Sequence, residues 1–271
     1  MGIERVQLCV AMTDEWVGAA TGTLLDDRHY DRGKVYRRAV DVIKPDGSLL
    51  LALRPGLPWS VPWVACTGAW DDLRRCARES THRVTAAGGA PKLHSGTLGY
   101  IHGRLTSATP TGEGWRRVTD LLRWLDHTFS QEAPARHAVL VAAAARARGV
   151  IDGTAFTTAT VNRWGPRRNA RMAVHPDRGN LPGGYAAMTV IKAGDYGGGL
   201  LVFPRYRVAV DLRSADVLVC DNQEPHGNTA VIGSRFERVC WAARVATIVV
   251  RQLVLRHSAQ PGQPLVLRHR L

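Results

Sequence analysis

From Tyr185 to Cys220 the chain passes through four apolar, β-branched stretches separated by turn-forming residues at intervals too short for helices. Tyr185 to Ile191, Leu200 to Phe203, Tyr206 to Asp211 and Val217 to Cys220 are the stretches. Gly194-Asp195-Tyr196-Gly197-Gly198-Gly199, Pro204-Arg205 and Arg213-Ser214-Ala215-Asp216 are the breaks. Short strands with turn signals at close spacing predict an antiparallel barrel or jelly roll. In such a fold, side chains at strand ends converge on one mouth.

The residues before this series predict a mixed support. Arg38 to Ile43 and Ser48 to Leu53 read as strands joined by Pro45-Asp46-Gly47, whose proline and glycine dihedrals favour a turn. Trp59 to Trp70 is aromatic and proline-broken, Asp71 to Arg78 suits a short helix, and Thr97 to Leu105 a strand. Val118, Leu121, Leu122, Trp124 and Leu125 recur at helical spacing within Trp115 to Phe129. Ala138 to Arg148 predicts a second helix stopped by Gly149, and Thr154 to Val161 a strand. No composition shift marks a boundary. The expectation is one α+β domain over 1–245, with 1–150 a support and substrate region, 151–245 the catalytic core, and 246–271 a terminal strand and basic tail.

At 271 residues and 45% hydrophobic content the chain can bury a large core. It has no apolar stretch near twenty residues, and Met1-Gly2-Ile3-Glu4-Arg5 lacks a secretory pattern, so no membrane and a cytoplasmic setting are expected. Cysteines 9, 66, 76, 220 and 240 form neither an even framework nor C-x-x-C spacing, which argues against disulfides and a zinc cluster. The formal charge of +13 favours an anionic partner such as nucleic acid, although only four of the 36 basic residues are lysine and a GC-rich genome would also enrich arginine.

Within this frame, His175-Pro176-Asp177 is followed by His226, and nine positions later by Arg235. Two histidines and a carboxylate are the set that holds a non-haem Fe(II) on one face and leaves positions open for a co-substrate and O₂. A downstream arginine can grip a carboxylate with two hydrogen bonds, which points to 2-oxoglutarate. The triplet alone is weak, since ten histidines and 16 aspartates produce accidental copies. His29-Tyr30-Asp31 is one, and its nearest spaced partner, His82, has Pro91 where the arginine should stand. Near the end, Leu253-Val254-Leu255-Arg256-His257 recurs as Leu265-Val266-Leu267-Arg268-His269, too short a repeat for a solenoid.

Asn162-Arg163, His175-Pro176-Asp177-Arg178-Gly179-Asn180, Gly198 to Pro204, Asp216-Val217-Leu218 and His226-Gly227-Asn228-Thr229 together resemble the TET/JBP group of Fe(II)/2-oxoglutarate dioxygenases. The hairpin from Lys44 to Leu53 resembles an N-terminal element of the J-type members. The similarity covers roughly residues 35 to 243 and is strongest from 160 onward.

The resemblance implies a double-stranded β-helix (jelly-roll) core and oxidation of the 5-methyl group of thymine or 5-methylcytosine in DNA. It implies Fe(II), 2-oxoglutarate and O₂ as cofactors, DNA as partner with no obligate protein partner, and a bacterial or phage setting. His175, Asp177 and His226 become the iron ligands. The family's Arg-x-Ser pattern falls on Arg235, where the third position is Glu237, and Arg238 is the competitor. An odd separation puts the two arginines on opposite strand faces, and spacing from His226 with a face shared by Val239 and Trp241 favours Arg235. A flipped base would stack on an aromatic or apolar side chain, with Trp164, Tyr185 and Phe203 as candidates. Asn162 and Asn180 could bond 2-oxoglutarate or the base edge. Arg163, Arg167, Arg168, Arg171 and Arg178 could meet phosphates. A small-molecule hydroxylase acting on a free nucleoside or natural-product intermediate is the alternative on the same scaffold, and a non-catalytic nucleic-acid binder is a third reading, which an intact ligand triad disfavours.

Overall fold

The computed structural model describes residues 3–56, 68–80, 93–166, 172–177 and 179–244. The N-terminal half supplies β1 (Glu4–Gln7), α1 (Asp14–Ala20), β2 (Val35–Tyr36), β3 (Val40–Ile43), β4 (Leu49–Arg54), α2 (Trp70–Cys76), β5 (Arg78–Ser80), β6 (Leu93–Ile101) and β7 (Arg104–Leu105). Helices α3 (Gly112–Glu132) and α4 (Pro134–Ala144) follow. The remainder is strand: β8 (Thr158–Trp164), β9 (Ala186–Gly198), β10 (Leu201–Phe203), β11 (Val208–Val210), β12 (Val217–Cys220), β13 (Gly227–Asn228) and β14 (Val231–Arg244).

These strands form the α+β jelly roll anticipated from the alternation of runs and turns. A large sheet has the order β1-β3-β4-β12-β9-β14-β8-β6-β5, and a small one the order β13-β10-β11-β2. Period-two alternation sorts the large sheet's side chains between two cores. On β14, Val239 and Ala243 pack with Val118, Leu121, Leu125 and Phe129 of α3. Phe236 and Cys240 face the other way, joining Leu201, Phe203, Val208 and Val210 of the small sheet. β12 divides likewise, with Val217 and Val219 towards the helices and Leu218 and Cys220 towards the small sheet. Strands covered on both faces read as unbroken apolar runs, as Val217 to Cys220 does. Each fully buried leucine or phenylalanine of α3 contributes about 1.5–3 kcal/mol, so this helix anchors the sheet from behind and leaves the opposite face for the site.

Three expected boundaries are corrected. The glycine-rich segment 194–199 does not end the strand, because β9 continues to Gly198 in a ribbon with β14. Gly194, at φ +78°, sits against the Arg235 carbonyl beside a bulge between Ile232 and Arg235, so it accommodates an irregularity within the ribbon. Thr97 to Leu105 is a hairpin, turning at His102 and Gly103, both with positive φ. The second helix starts at Pro134, whose fixed φ suits the first helical position, and ends at Ala144 well before Gly149. Gly149 instead gives close approach to the Tyr100 ring. Arg167, Arg168, Arg171, Arg178 and the tail 246–271 lie outside the described residues.

Candidate metal centre

His175 and His226 face each other across an antiparallel bridge that extends the small sheet. His175 N–H donates to the His226 carbonyl at 2.9 Å, and His226 N–H returns the bond at 3.0 Å. The residues after His226 lock this register. Gly227 passes so close to the Met172 carbonyl that a Cβ would lie 2.8 Å from it. Asn228 Oδ1 accepts from Met172 N at 2.7 Å, and Thr229 Oγ1 accepts from Leu200 N at 3.0 Å. The His-Gly-Asn-Thr run is therefore one candidate ligand followed by three residues that hold its frame.

Both imidazoles have their tautomer set by the backbone. His175 Nδ1 lies 2.8 Å from the Ala173 carbonyl and His226 Nδ1 2.8 Å from the Glu224 carbonyl. A carbonyl only accepts, so each Nδ1 carries the proton and each neutral ring keeps its lone pair on Nε2. Asp177 completes the group. One ligand atom from each of the three residues lies within 4.8 Å of the others, and His175 Nε2 is 3.6 Å from Asp177 Oδ1. Two imidazole nitrogens and one carboxylate oxygen at this separation suit a divalent first-row metal.

Asp177 is held from several sides. Its N–H donates to Asn222 O at 2.9 Å, and Gln223 Nε2 donates to its carbonyl at 3.1 Å. Asn180 and Asn222 each approach Oδ2 at 3.3 Å through their amide nitrogens, and Arg244 Nη1 lies 3.6 Å from the same oxygen. Burial opposes ionisation, but a hydrogen bond from His175 and a charge on His226, both present when the rings are protonated, together with the Arg244 guanidinium hold the carboxyl well below the usual carboxylate range. The group is thus an ionised carboxylate at neutral pH, as an anionic ligand must be.

The triad opens into a cavity between the sheets, walled by Thr160, Asn162 and Trp164 of β8 and by Arg238, Cys240, Ala242 and Arg244 of β14. Arg238 is 4% exposed, its guanidinium carbon lies 5.3 Å from the Trp164 ring centroid, and Nη1 donates to Gly199 O at 2.5 Å. Its Nε and the Asn162 Oδ1 are buried and have no hydrogen-bond partner among the described residues. The Arg238 Nε–H is a donor that a carboxylate in this cavity would engage, and Asn162 Oδ1 is an acceptor for a ligand's donor.

The structure places Arg235 elsewhere. It is exposed on β14 next to the bulge, opposite Asp195. The face it shares in parity with Val239 turns towards the helices, so a shared face with Val239 does not mean a shared cavity. Arg238 is the cavity arginine, and two positions on stands Cys240, so an Arg-x-Ser pattern read from Arg238 meets a thiol in place of the hydroxyl.

Other expected contacts separate by strand parity. Asn162 and Trp164 line the cavity, whereas Arg163 between them points away and shares Glu237 with Arg74. Tyr185 is no base platform, because it belongs to the helix-facing core, donates its hydroxyl to Leu49 O and lies under Arg136. Phe203 packs in the inter-sheet core, its ring 5.9 Å from that of His226. Asn180 supports Asp177 and does not line the cavity. The copy at His29-Tyr30-Asp31 is structural, with His29 bound to Asp26 and Asp31 to Arg207. Sequence reasoning missed Arg244, which extending the even-numbered face of β14 by six positions from Arg238 would have found. It also missed Asn222 and Gln223, whose only signal is a polar run between an apolar strand and His226.

No protein-family model matches the chain. It is 34% identical over 187 residues to the bifunctional helicase and thymine dioxygenase JBP2 of Leishmania major, a match over 65% of this chain and 16% of that protein. It is 30% identical over 183 residues to the thymine dioxygenase JBP1 of Trypanosoma brucei brucei, over 64% of this chain and 21% of that protein. The chain therefore spans about a fifth or less of these relatives, which come from trypanosomatids and not from bacteria or phage. Among solved structures, NgTET1 in complex with 5mC DNA superposes with a TM-score of 0.60 at 12% identity, over 96% of this chain and 92% of that one. No helix among the described residues is long and apolar enough to cross a membrane.

Proposed function

Because the chain belongs to the TET/JBP-type oxygenases, we propose that it hydroxylates the 5-methyl group of a pyrimidine in DNA with Fe(II), 2-oxoglutarate and O₂. The observation that carries this reading is the convergence of the His175, Asp177 and His226 ligand atoms with the buried Arg238 guanidinium in one cavity. Bound together, the metal, keto acid and O₂ supply an oxidant able to hydroxylate an unactivated C–H bond. The chain's residues supply the rest. His175 and His226 would present Nε2 lone pairs, Asp177 would contribute the anionic ligand, and Arg238 would hold a carboxylate of 2-oxoglutarate, with the Asn162 amide beside it. Met188, Leu201 and Leu212 line the same cavity with apolar surface that limits water beside the reacting centre.

DNA as substrate is supported by the relatives named as thymine dioxygenases, by the fold shared with a protein solved on 5mC DNA, and by the +13 charge. A base reaching a cavity enclosed between two sheets must leave the duplex stack. Trp164 carries Arg238 on its ring, so it braces the co-substrate end of the cavity and is not a free stacking platform.

The test is incubation of the protein with Fe(II), 2-oxoglutarate and duplexes containing thymine or 5-methylcytosine, followed by nucleoside mass spectrometry. A hydroxymethyl base is expected, with binding that weakens steeply as salt rises. Succinate formed only with free nucleosides would exclude DNA as the substrate.

A further inference from the structure

We propose that Lys44, on the hairpin turn between β3 and β4, is a positioning residue for the metal centre, acting through the loop Asp221–Glu224. The proposal rests on the reading that the His175, Asp177 and His226 group binds a metal.

That short loop touches two of the three ligands. Asn222 accepts from Asp177 N–H at 2.9 Å and offers its amide to Asp177 Oδ2 at 3.3 Å. Gln223 Nε2 donates to the Asp177 carbonyl at 3.1 Å. The Glu224 carbonyl fixes the His226 tautomer at 2.8 Å. Whatever sets the loop's position therefore sets the relative placement of Asp177 and His226.

Lys44 holds the loop at both ends. Its ammonium lies 2.9 Å from Asp221 Oδ2 and 3.7 Å from Glu224 Oε1, and all three side chains are at most 17% exposed. The ammonium is itself aimed by its turn. Lys44 N–H donates to Ser48 O at 2.7 Å, Lys44 O accepts from Gly47 N at 2.9 Å, and Ser48 N and Oγ both donate to Asp46 Oδ1. Arg205 Nε at 3.1 Å and the Tyr206 hydroxyl at 2.9 Å tie Glu224 to the turn after β10. The loop is thereby clamped between the two sheets, with Lys44 as the side-chain contribution of the large one beside a backbone bond from Asp221 N–H to Leu50 O at 2.8 Å. Without that cation Asp221 is left a little-exposed carboxylate with no ion pair among the described residues, while Glu224 keeps Arg205 and Tyr206 on the small-sheet side, so the loop relaxes away from the β3–β4 turn. The displacement passes directly to Asn222 and to the Glu224 carbonyl.

The test is Mn(II) affinity of the metal-stripped full chain, measured by titration calorimetry, with apo melting temperature recorded in parallel. Lys44→Met is expected to weaken Mn(II) binding by about tenfold or more, the range for groups that orient metal ligands. Lys44→Arg, which keeps the charge, is expected to retain most of it. Arg54→Met breaks another little-exposed ion pair, to Asp41 and Glu132. This control is expected to lower the melting temperature and leave Mn(II) affinity within threefold of the parent, which separates positioning from plain stability. Should Lys44→Met not fold, Asp221→Asn cuts the same contact from the other side. Affinity within threefold of the parent in these clamp variants, while His175→Ala abolishes binding, overturns the proposal. Mn(II) binding that survives His175→Ala defeats the metal reading itself and this proposal with it.

Discussion

Arg238 and Trp164 are direct cross-strand partners on β14 and β8, and the guanidinium carbon lies 5.3 Å from the ring centroid. The ring and the Gly199 carbonyl fix the plane of the guanidinium, so its fork is preorganised for a carboxylate. Arg238→Met is expected to raise the KM for 2-oxoglutarate at least tenfold, a loss of roughly 1.4 kcal/mol or more. Arg238→Lys should recover only part of this, since an ammonium supplies charge without the fork. Arg235→Met, on an exposed side chain, should stay within twofold of the parent. Succinate formation against 2-oxoglutarate concentration separates these outcomes, and a tenfold effect at Arg235 would reverse the assignment.

The arginine question shows what the sequence made legible. Parity established that only one of the two side chains could enter the cavity, but not which one, because β14 is buried on both faces and its hydrophobic pattern does not distinguish helix side from cavity side. That His175, Asp177 and His226 come together was readable from the order of strands and turns around the triplet and from the His226-Gly227-Asn228-Thr229 context. Glycines 194–199 misled for a related reason. Positive φ at Gly194, Gly198 and Gly199 serves a bulge and a turn, and only the last two end the strand. The contacts of Asn222 and Gln223 with Asp177 span 45 and 46 residues and depend on loop placement that no local pattern encodes.

Gly198 tests the turn between β9 and β10. Its φ is +70°, and a Cβ there would lie 2.0 Å from the Ala230 carbonyl, on backbone that cannot rotate away. Left-handed backbone alone costs a non-glycine residue about 1–2 kcal/mol, and the clash adds to it. Gly198→Ala should therefore lose at least about 2 kcal/mol in urea unfolding. Gly179, where a Cβ would meet nothing within 4 Å, should accept alanine with little loss.

Asp72 gives the chain a pH-dependent anchor away from the site. It is 4% exposed, receives Arg75 at 2.5 Å and Arg117 at 2.8 Å, and ties α2 to α3. Burial opposes its charge, yet the hydrogen bonds from Arg117 and Arg75 bring the carboxyl below its ordinary value. A carboxylate depressed on folding contributes stability that is fully present above the unfolded aspartate value of about 3.9 and is lost as pH falls towards the folded one. Asp72→Asn should cost roughly 1–3 kcal/mol at pH 7, the scale of charged hydrogen bonds. The difference from the parent should narrow below about pH 4. Urea midpoints at both pH values provide the measurement, and an unchanged gap would assign the loss to shape alone.

Metal removal tests the triad without turnover. A ligand that binds only the folded state at a hundred times its dissociation constant adds about 2.7 kcal/mol, which for a chain of this size raises the melting temperature by roughly 5–10 °C. Mn(II) added to the chelator-stripped protein should give such a rise, and excess chelator should reverse it. His226→Ala removes one of the three proposed ligands and should abolish the rise. Cys240→Ala, whose side chain lines the cavity but is no ligand in this reading, should keep it. The thiol variant separates a metal held by two histidines and a carboxylate from one recruited by sulfur. If Mn(II) stabilises the parent and the His226 variant equally, the ion binds elsewhere and the geometry of the three side chains serves another purpose.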